Sequence, residues 1–372
     1  MKKALTLFIV FAMLIGGLTA CAAKESAATE PAAPETTQTV AAAAETPAEE
    51  SSQSSHKLAV ITGTGGLGDQ NMNDFIYAGV QKHEAEGVTV DVVQPKDVAD
   101  FPNLQTLYAE EGSYDAIVCI GFDQLEALKS VGPNFPDQRF LLCDTTLEAD
   151  NVTSVLFRAE ETGFQLGVLA GLVEKDGALP NSRGANTIGF VGGKDIATIN
   201  QFAAGYEAGA RLVNPEITVL RTYVGSFGDP ATATELATSL YEQGADIVFA
   251  CAGSSGLGVF TAAEKQNGYA LGIETNQNVL YPDQIIASGT RAWDSAIYDA
   301  TQRAMDGTLD AGILSYGIVD GMLKAEREGS NVAVSDEAIA ALDEYCRKVA
   351  DGTLQLPTTL DAVDAFLQAN AE

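Results

Sequence analysis

From residue 57 onward, short apolar runs alternate with amphipathic stretches. The runs are rich in Val, Ile, Leu and Phe and are bounded by Gly, Asp or Asn, which predicts strands. They cover Lys57–Gly63, Val88–Val93, Ala116–Ile120, Phe140–Cys143 and Val152–Phe157. Further on come Thr187–Val191, Thr218–Tyr223, Ile247–Ala250, Tyr269–Ile273 and Gln284–Ser288. Between the first two runs, Asn71–Ala85 places Met72, Phe75, Ile76, Gly79 and Val80 at helical spacing on one face. Gln201–Val213 and Ala231–Gln243 repeat that pattern. Strands alternating with helices over short connections imply βαβ units, hence an α/β fold with parallel sheets.

The series appears twice, over residues 57–143 and again over 187–288, and holds more strands than one ordinary sheet. Two similar lobes follow. The first is expected over 56–160 and about 290–320, the second over 161–289 and about 321–372. Arg158–Gly171 is the expected first passage between them, with Glu160 and Glu161 as hinge scaffolding, and the stretch beyond Ser288 carries the return. The end, Ser335 to Ala371, reads as helical with breaks at Asp351-Gly352 and Leu356-Pro357. Ligands of parallel sheets sit beyond the carboxyl ends of the strands. Two lobes facing each other with such edges make a clamp that closes by hinge motion around a small ligand.

The first 55 residues follow other rules. Lys2 and Lys3 precede an apolar run, Leu5–Ile15, shorter than the roughly 20 residues of a membrane span. Leu18-Thr19-Ala20-Cys21 then resembles a bacterial lipobox, which implies a signal peptide over 1–20 and a lipid on Cys21. Residues 22–55 are Ala, Glu, Thr, Pro and Ser with no aromatic residue, too polar to build a core, and read as a disordered acidic tether. The expected location is the extracytoplasmic face of the cell membrane, with the membrane reached only through the lipid.

Composition narrows the chemistry. Of 372 residues, 46% are hydrophobic, enough for a sizeable core. Asp and Glu number 51 against 21 Lys and Arg, a net charge of −30, which excludes a basic nucleic-acid surface. There are two histidines and no CxxC pair, so zinc-finger and thioredoxin-like chemistry are excluded, and no metal or cofactor is expected. His83 lies in a polar stretch and reads as solvent-exposed. Cys119, Cys143 and Cys251 sit in apolar runs and read as buried thiols. With Cys346 they leave a disulfide open in an oxidising compartment. No Ser-His-Asp or two-carboxylate catalytic spacing stands out, so the chain is not expected to be an enzyme.

One motif points elsewhere. Gly63, Gly65 and Gly68 form a G-x-G-x-x-G between a strand and a helix, with Asp91 further on, as in a dinucleotide-binding enzyme. Against that, Asp91 falls inside the second strand, Asp69 puts negative charge where a pyrophosphate would sit, and an exported chain does not meet nicotinamide cofactors. The glycines then serve a tight strand-to-helix turn.

Eight segments in register resemble one family. They are GGLGDQNMND (65–74), YDAIVCIGF (114–122), FLLCD (140–144), VLFRAEETGFQLGVLAG (155–171), GFVGGKDIATINQFAAGYEAGA (189–210), YVGSFGDPATA (223–233), GADIVFACAGSSGLGV (244–259) and GIETNQ (272–277). Together they are similar to the basic membrane protein, or PnrA-like, substrate-binding lipoproteins of ABC transporters, over roughly residues 57–325. The resemblance implies a two-lobed type I periplasmic-binding-protein fold. It also implies capture of a nucleoside, purine above all, for delivery to an ABC permease by a monomer. The base is expected between aromatic rings, with carboxylates and a cation on the ribose. A nucleobase or another small polar ligand is the alternative, and a sensor without transport a further one.

The candidate ligand residues are Asp69, Asn71, Met72, Asn73, Asp144, Phe202, Phe227, Gly253, Glu274 and Arg291. Asp69 and Asn73 are also natural helix caps. Phe202 sits at a helical spacing that suits a core. Phe227 lies in a loop, where stacking is more natural, and Trp293 is expected near the cleft rim. Met72, Glu274 and Arg291 replace the family's usual Phe, Asp and Lys. Met loses ring stacking, Glu adds a methylene, and Arg replaces a point donor with a planar fork, which together imply a remodelled pocket. Glu274 and Arg291 are the strongest pair, whether turned to a ligand or to each other.

Overall fold

The computed structural model describes residues 56–371 apart from 70, 71 and 178. The expected signal peptide, Cys21 and the tether lie outside the described residues, as does Asn71. The first five strands are β1 (Lys57–Ile61), β2 (Thr89–Val93), β3 (Ala116–Cys119), β4 (Phe140–Cys143) and β5 (Val152–Phe157). The next five are β6 (Thr187–Gly192), β7 (Thr218–Tyr223), β8 (Ile247–Cys251), β9 (Tyr269–Glu274) and β10 (Ile285–Arg291). Two more, β11 (Gly312–Tyr316) and β12 (Leu323–Glu326), follow late in the chain.

They form two six-stranded sheets, ordered β11-β5-β4-β3-β1-β2 and β12-β10-β9-β8-β6-β7. Every pairing is parallel except β12 against β10. Two parallel α/β lobes are what the alternating pattern implied, and this is the fold of type I periplasmic binding proteins, as the family resemblance implied. The central strands are buried on both faces and read as continuous apolar runs, as parallel sheets covered by helices require.

The chain changes sheet three times. After β5 it runs through α4 (Ala159–Asp176) to the second sheet. After β10 it returns through α8 (Trp293–Met305) to β11, then passes directly from β11 to β12. Helix α4 is buried almost all round. It packs on α5 (Ala197–Val213) so closely that a Cβ at Gly163 or Gly167 would overlap the carbonyl oxygen of Phe202 or Tyr206, and one at Gly205 that of Glu160. Glycine is needed there for approach between backbones, not for turns.

Helices α2 (Phe101–Glu111), against β1 and β3, and α3 (Leu125–Val131), against α2, belong to the first lobe, and α7 (Gly256–Gln266) packs on β8 and β9 of the second. Helix α1 (Met72–Glu84) lies against α8. That contact corrects one expectation: His83 is fully buried, stacked on Tyr298 with ring centroids 4.3 Å apart, and its Nε2 is 2.9 Å from Thr301 Oγ1. The local polar sequence does not disclose a partner helix more than 200 residues away. Trp293 is likewise buried rather than at a rim, edge-on to Phe157. Cys119, Cys143 and Cys251 are buried free thiols, and Cys346 is a half-buried one. Burial pushes the thiols upward. Helices α9 (Asp336–Ala350) and α10 (Val363–Ala369) close the chain, with α9 on α4 and α10 on α5. No helix among the described residues is long and apolar enough to cross a membrane.

Candidate functional site

The carboxyl ends of the two sheets meet at three charged residues. Asp144 follows β4, Glu274 ends β9 and Arg291 ends β10. Arg291 Nε donates to Glu274 Oε2 at 2.7 Å and Nη2 donates to Oε1, a bidentate fork on one carboxylate. Its Nη1 reaches across to Asp144 Oδ1 at 3.3 Å, so one guanidinium joins carboxylates from both sheets. Only 4% of the Arg291 side chain is exposed, against 20% for each carboxylate.

The guanidinium is boxed by rings as well as acids. Its carbon lies 5.7 Å from the centroids of Phe157 and Phe202 and 5.3 Å from that of Trp293. Burial opposes a charged Arg291, but Glu274 and Asp144 more than compensate and hold it protonated. Burial pushes the Asp144 carboxyl above its usual range, with Arg291 pulling the other way and Glu274 adding to the rise.

Both carboxylates stand on unusual backbone. Asp144 has φ 66° and Glu274 φ 71°, in the left-handed region that side chains other than Gly, Asn and Asp seldom adopt. Such strain, of order 1–3 kcal/mol per residue, persists where surroundings over-determine it and clusters at ligand sites. At Glu274 the surroundings are visible. Ile273 N donates to Gln277 Oε1, Gln277 N donates to Ser288 Oγ, and Ser288 Oγ donates to Asn278 Oδ1. Buried Asn278 then donates to the carbonyls of Glu326 and Glu328. A Cβ at Gly272 would crowd Ser288 Oγ and Gln277 Oε1, so this turn requires glycine in the strand beside it. No sequence signal ties Ser288 and Asn278 to the turn, because their partners are set by the pairing of β9, β10 and β12.

The remaining candidates divide into supports and wall. Asn73 accepts from Gly63 N at 2.8 Å and donates through Nδ2 to Asp69 Oδ2 at 2.8 Å. Asp69 also accepts the backbone N–H groups of Asn73 and Asp74. This pair caps α1 and fixes the glycine-rich turn; its oxygens are engaged with the protein. Met72 is half-buried against the core of the first lobe. Asp91 is paired inside β2 with Lys57 and the Tyr114 hydroxyl, away from the strand end a ribose-binding acid would occupy. Phe202 is 2% exposed and belongs to the core, with its ring facing Arg291 rather than open space.

Phe227 forms the wall of the second sheet. It is half-buried in the loop between β7 and α6 (Pro230–Glu242), packed where a Cβ at Gly193 would overlap its ring and one at Gly253 would lie 3.3 Å from its own Cβ. Gly253 has φ 56°. Lys194 Nζ sits 5.6 Å from the Phe227 ring centroid. Buried Ser255 buckles this loop to the β8 turn, accepting from Asp229 N at 2.8 Å and donating to the Ser226 carbonyl at 3.0 Å. In the first sheet, Phe122 stands just beyond β3 and is 58% exposed, a ring with no core role that the motif contained without marking.

The cluster holds carboxylates, a guanidinium, rings and backbone amides, which bind polar rings and hydroxyls by stacking and hydrogen bonding. No group of His, Cys, Asp or Glu suited to a metal occurs among the described residues. Residues 56–356 match the family described as ABC transporter substrate-binding protein, PnrA-like. The chain belongs to that family. It is therefore a substrate-binding component of an ABC transporter rather than an enzyme. It is 32% identical to an uncharacterized lipoprotein of Pyrococcus abyssi over 70% of this chain and 67% of the relative. It is 26% identical to the Lactococcus lactis protein named ABC transporter nucleoside-binding protein BmpA, over 81% of this chain and 89% of that one. A solved ABC transporter solute-binding protein from Aeropyrum pernix superposes with TM-score 0.70 at 25% identity, covering 85% of this chain and 98% of that one.

Proposed function

We propose that this PnrA-like protein captures a nucleoside between its two lobes and delivers it to an ABC permease, held at the outer face of the cell membrane by a lipid on Cys21. The observation that carries the reading is the inter-lobe cluster of Asp144, Glu274 and Arg291, with two strand-end carboxylates on left-handed backbone. Vicinal ribose hydroxyls give a carboxylate two donors, and a ligand that lacks one leaves a polar group unpaired. Phe227 and Phe122 supply rings for a base, where stacking contributes about 1–3 kcal/mol. The Lactococcus relative named as nucleoside-binding supports the same ligand class. Arg291 acts here mainly by orienting Glu274, since its donors already point at protein carboxylates.

Thermal stabilisation of the full chain across nucleosides, nucleobases, sugars and amino acids tests this. Ligand at 100 times its dissociation constant adds about 2.7 kcal/mol. A shift with a nucleoside, absent with its free base and with ribose, supports the reading. A shift only with a nucleobase or another class replaces it.

A further inference from the structure

Two of the three inter-lobe passages leave the first sheet side by side. β5 and β11 pair in parallel with Phe157 opposite Tyr316, so the chain exits at Arg158 and at Gly317 from neighbouring strand ends. Arg158 N donates to the Tyr316 carbonyl at 2.9 Å, the last bond of that ladder. Beyond it, one passage enters α4 and the other turns toward β12.

A single side chain fastens them together past the ladder. Glu161, in the first turn of α4, accepts from Arg158 Nη1 through Oε1 at 2.9 Å. Through Oε2 it accepts from the backbone N–H of Ile318 at 2.6 Å. Its carboxylate is buried, while Arg158 keeps contact with solvent. Gly317 leaves the space: a Cβ there would overlap Glu161 Oε2 and lie 2.7 Å from Arg158 Nη1. One turn further along α4, Gln165 Oε1 accepts from Ala325 N at 3.1 Å, in β12 of the second sheet. Helix α4 thus grips the third passage near both ends. None of these groups touches Asp144, Glu274 or Arg291.

Hinge closure is absorbed by backbone rotation in a few residues of such passages. Passages tied by a buried carboxylate must rotate together; untied, each samples its own rotations and the open ensemble widens. We infer that Glu161 is a positioning residue that sets the balance between open and closed lobes, and so ligand affinity, from outside the cleft. The effect on affinity rests on the ligand reading above, but the effect on lobe opening does not. Apparent affinity scales with the fraction of molecules in the binding-competent form.

The test uses the full chain with fluorescent non-canonical residues at Lys129 and Lys265, both exposed and one in each lobe. Single-molecule energy transfer then reads lobe separation without ligand, and hydrogen exchange reads the Ile318 amide. Glu161→Ala should lengthen and broaden the ligand-free distance and raise Ile318 exchange at least about tenfold. Glu161→Gln, which keeps an acceptor, should do so partially. Gly317→Ala should reproduce the effect with Glu161 intact. For inosine, if the wild type binds it, Glu161→Ala should weaken affinity about 3–10-fold through a smaller binding-competent fraction. Folded variants with unchanged ligand-free distances overturn the inference, whatever inosine does. A wild type that binds no nucleoside, with distances that shift as expected, overturns only the ligand reading.

Discussion

Arg158 and Arg291 occupy matching places, one just after the fifth strand of the first sheet and one ending the fifth strand of the second. Each pairs with a glutamate. Arg158 is 37% exposed and its partner Glu161 lies one helical turn on, so the pair is local. Arg291 is buried among three aromatic rings, and its carboxylates arrive from two other strands, one in each sheet. The same strand-end device therefore serves a strap in one place and a binding cleft in the other. The surroundings make the difference. Arg158 keeps solvent contact and its buried partner Glu161 keeps a second donor in the Ile318 amide, whereas the buried Arg291 guanidinium must be fully matched, and its carboxylates are left without a counter-charge if it is lost.

The comparison is most severely tested by removing the buried cation. Arg291→Ala leaves Glu274 and Asp144 facing each other without a counter-charge, and should cost about 3–5 kcal/mol in denaturant unfolding. A loss below about 1 kcal/mol would mean that water already solvates the cluster.

A third carboxylate sharpens the point, because it is part-buried with less compensation. Burial and the neighbouring Asp246 push Glu174 up to about 8, with Arg183 opposing. Asp246 itself is held by Ser182 Oγ, the Arg183 amide and the Arg183 guanidinium. The folded form of Glu174 therefore keeps a proton that the unfolded chain releases near its ordinary 4.5. Stability from this group is fully present below that value and is lost as pH rises through about 8. After allowance for its partial exposure, the loss between pH 5 and 9 should be on the order of 1–2 kcal/mol. Glu174→Gln should flatten that slope in melts taken across the range; an unchanged slope assigns the titration elsewhere.

Arg158→Ala should show the smallest effect on stability, about 1 kcal/mol by the same unfolding measurement, because buried Glu161 keeps the Ile318 amide as a donor and Arg158 itself is part-exposed. A cost matching that of Arg291→Ala would erase the distinction between the two sites.

Much of this fold was legible because parallel strands buried on both faces leave unbroken apolar runs such as AIVC and FLLC. The missed strands are the ones that break that rule. β11 alternates half-buried and exposed residues up to a buried Tyr316 at a sheet edge, and β12 is LKAE, alternating apolar and polar and antiparallel. β10 runs on to Arg291 because Thr290 and Arg291 pair with Lys324 and Leu323 of β12, a partner later in the chain. In the site, Glu274 and Arg291 were readable as a pair through the family resemblance, where they stand in place of an Asp and a Lys. Their engagement with each other depends on the pairing of β9 and β10, and that of Arg291 with Asp144 on how the sheets face. Phe202 shows the limit: its helical spacing suits a core residue, and the ring both fills the core and lies beneath a guanidinium. Asp69 and Asn73 carry the chemistry of a binding turn and of a cap alike, and only the bonds to Gly63 and Asp74 distinguish the uses.

The most direct measurement is calorimetric titration of the full chain and of Glu274→Gln with inosine, adenosine, guanosine and uridine. Wild type should bind at least one of them. Glu274→Gln keeps the size of the side chain but loses the charge that accepts ribose hydroxyls, and should weaken that binding at least about tenfold, or 1.4 kcal/mol. Equal affinity in both proteins, or no binding by the wild type, would contradict a nucleoside held at the Glu274 carboxylate.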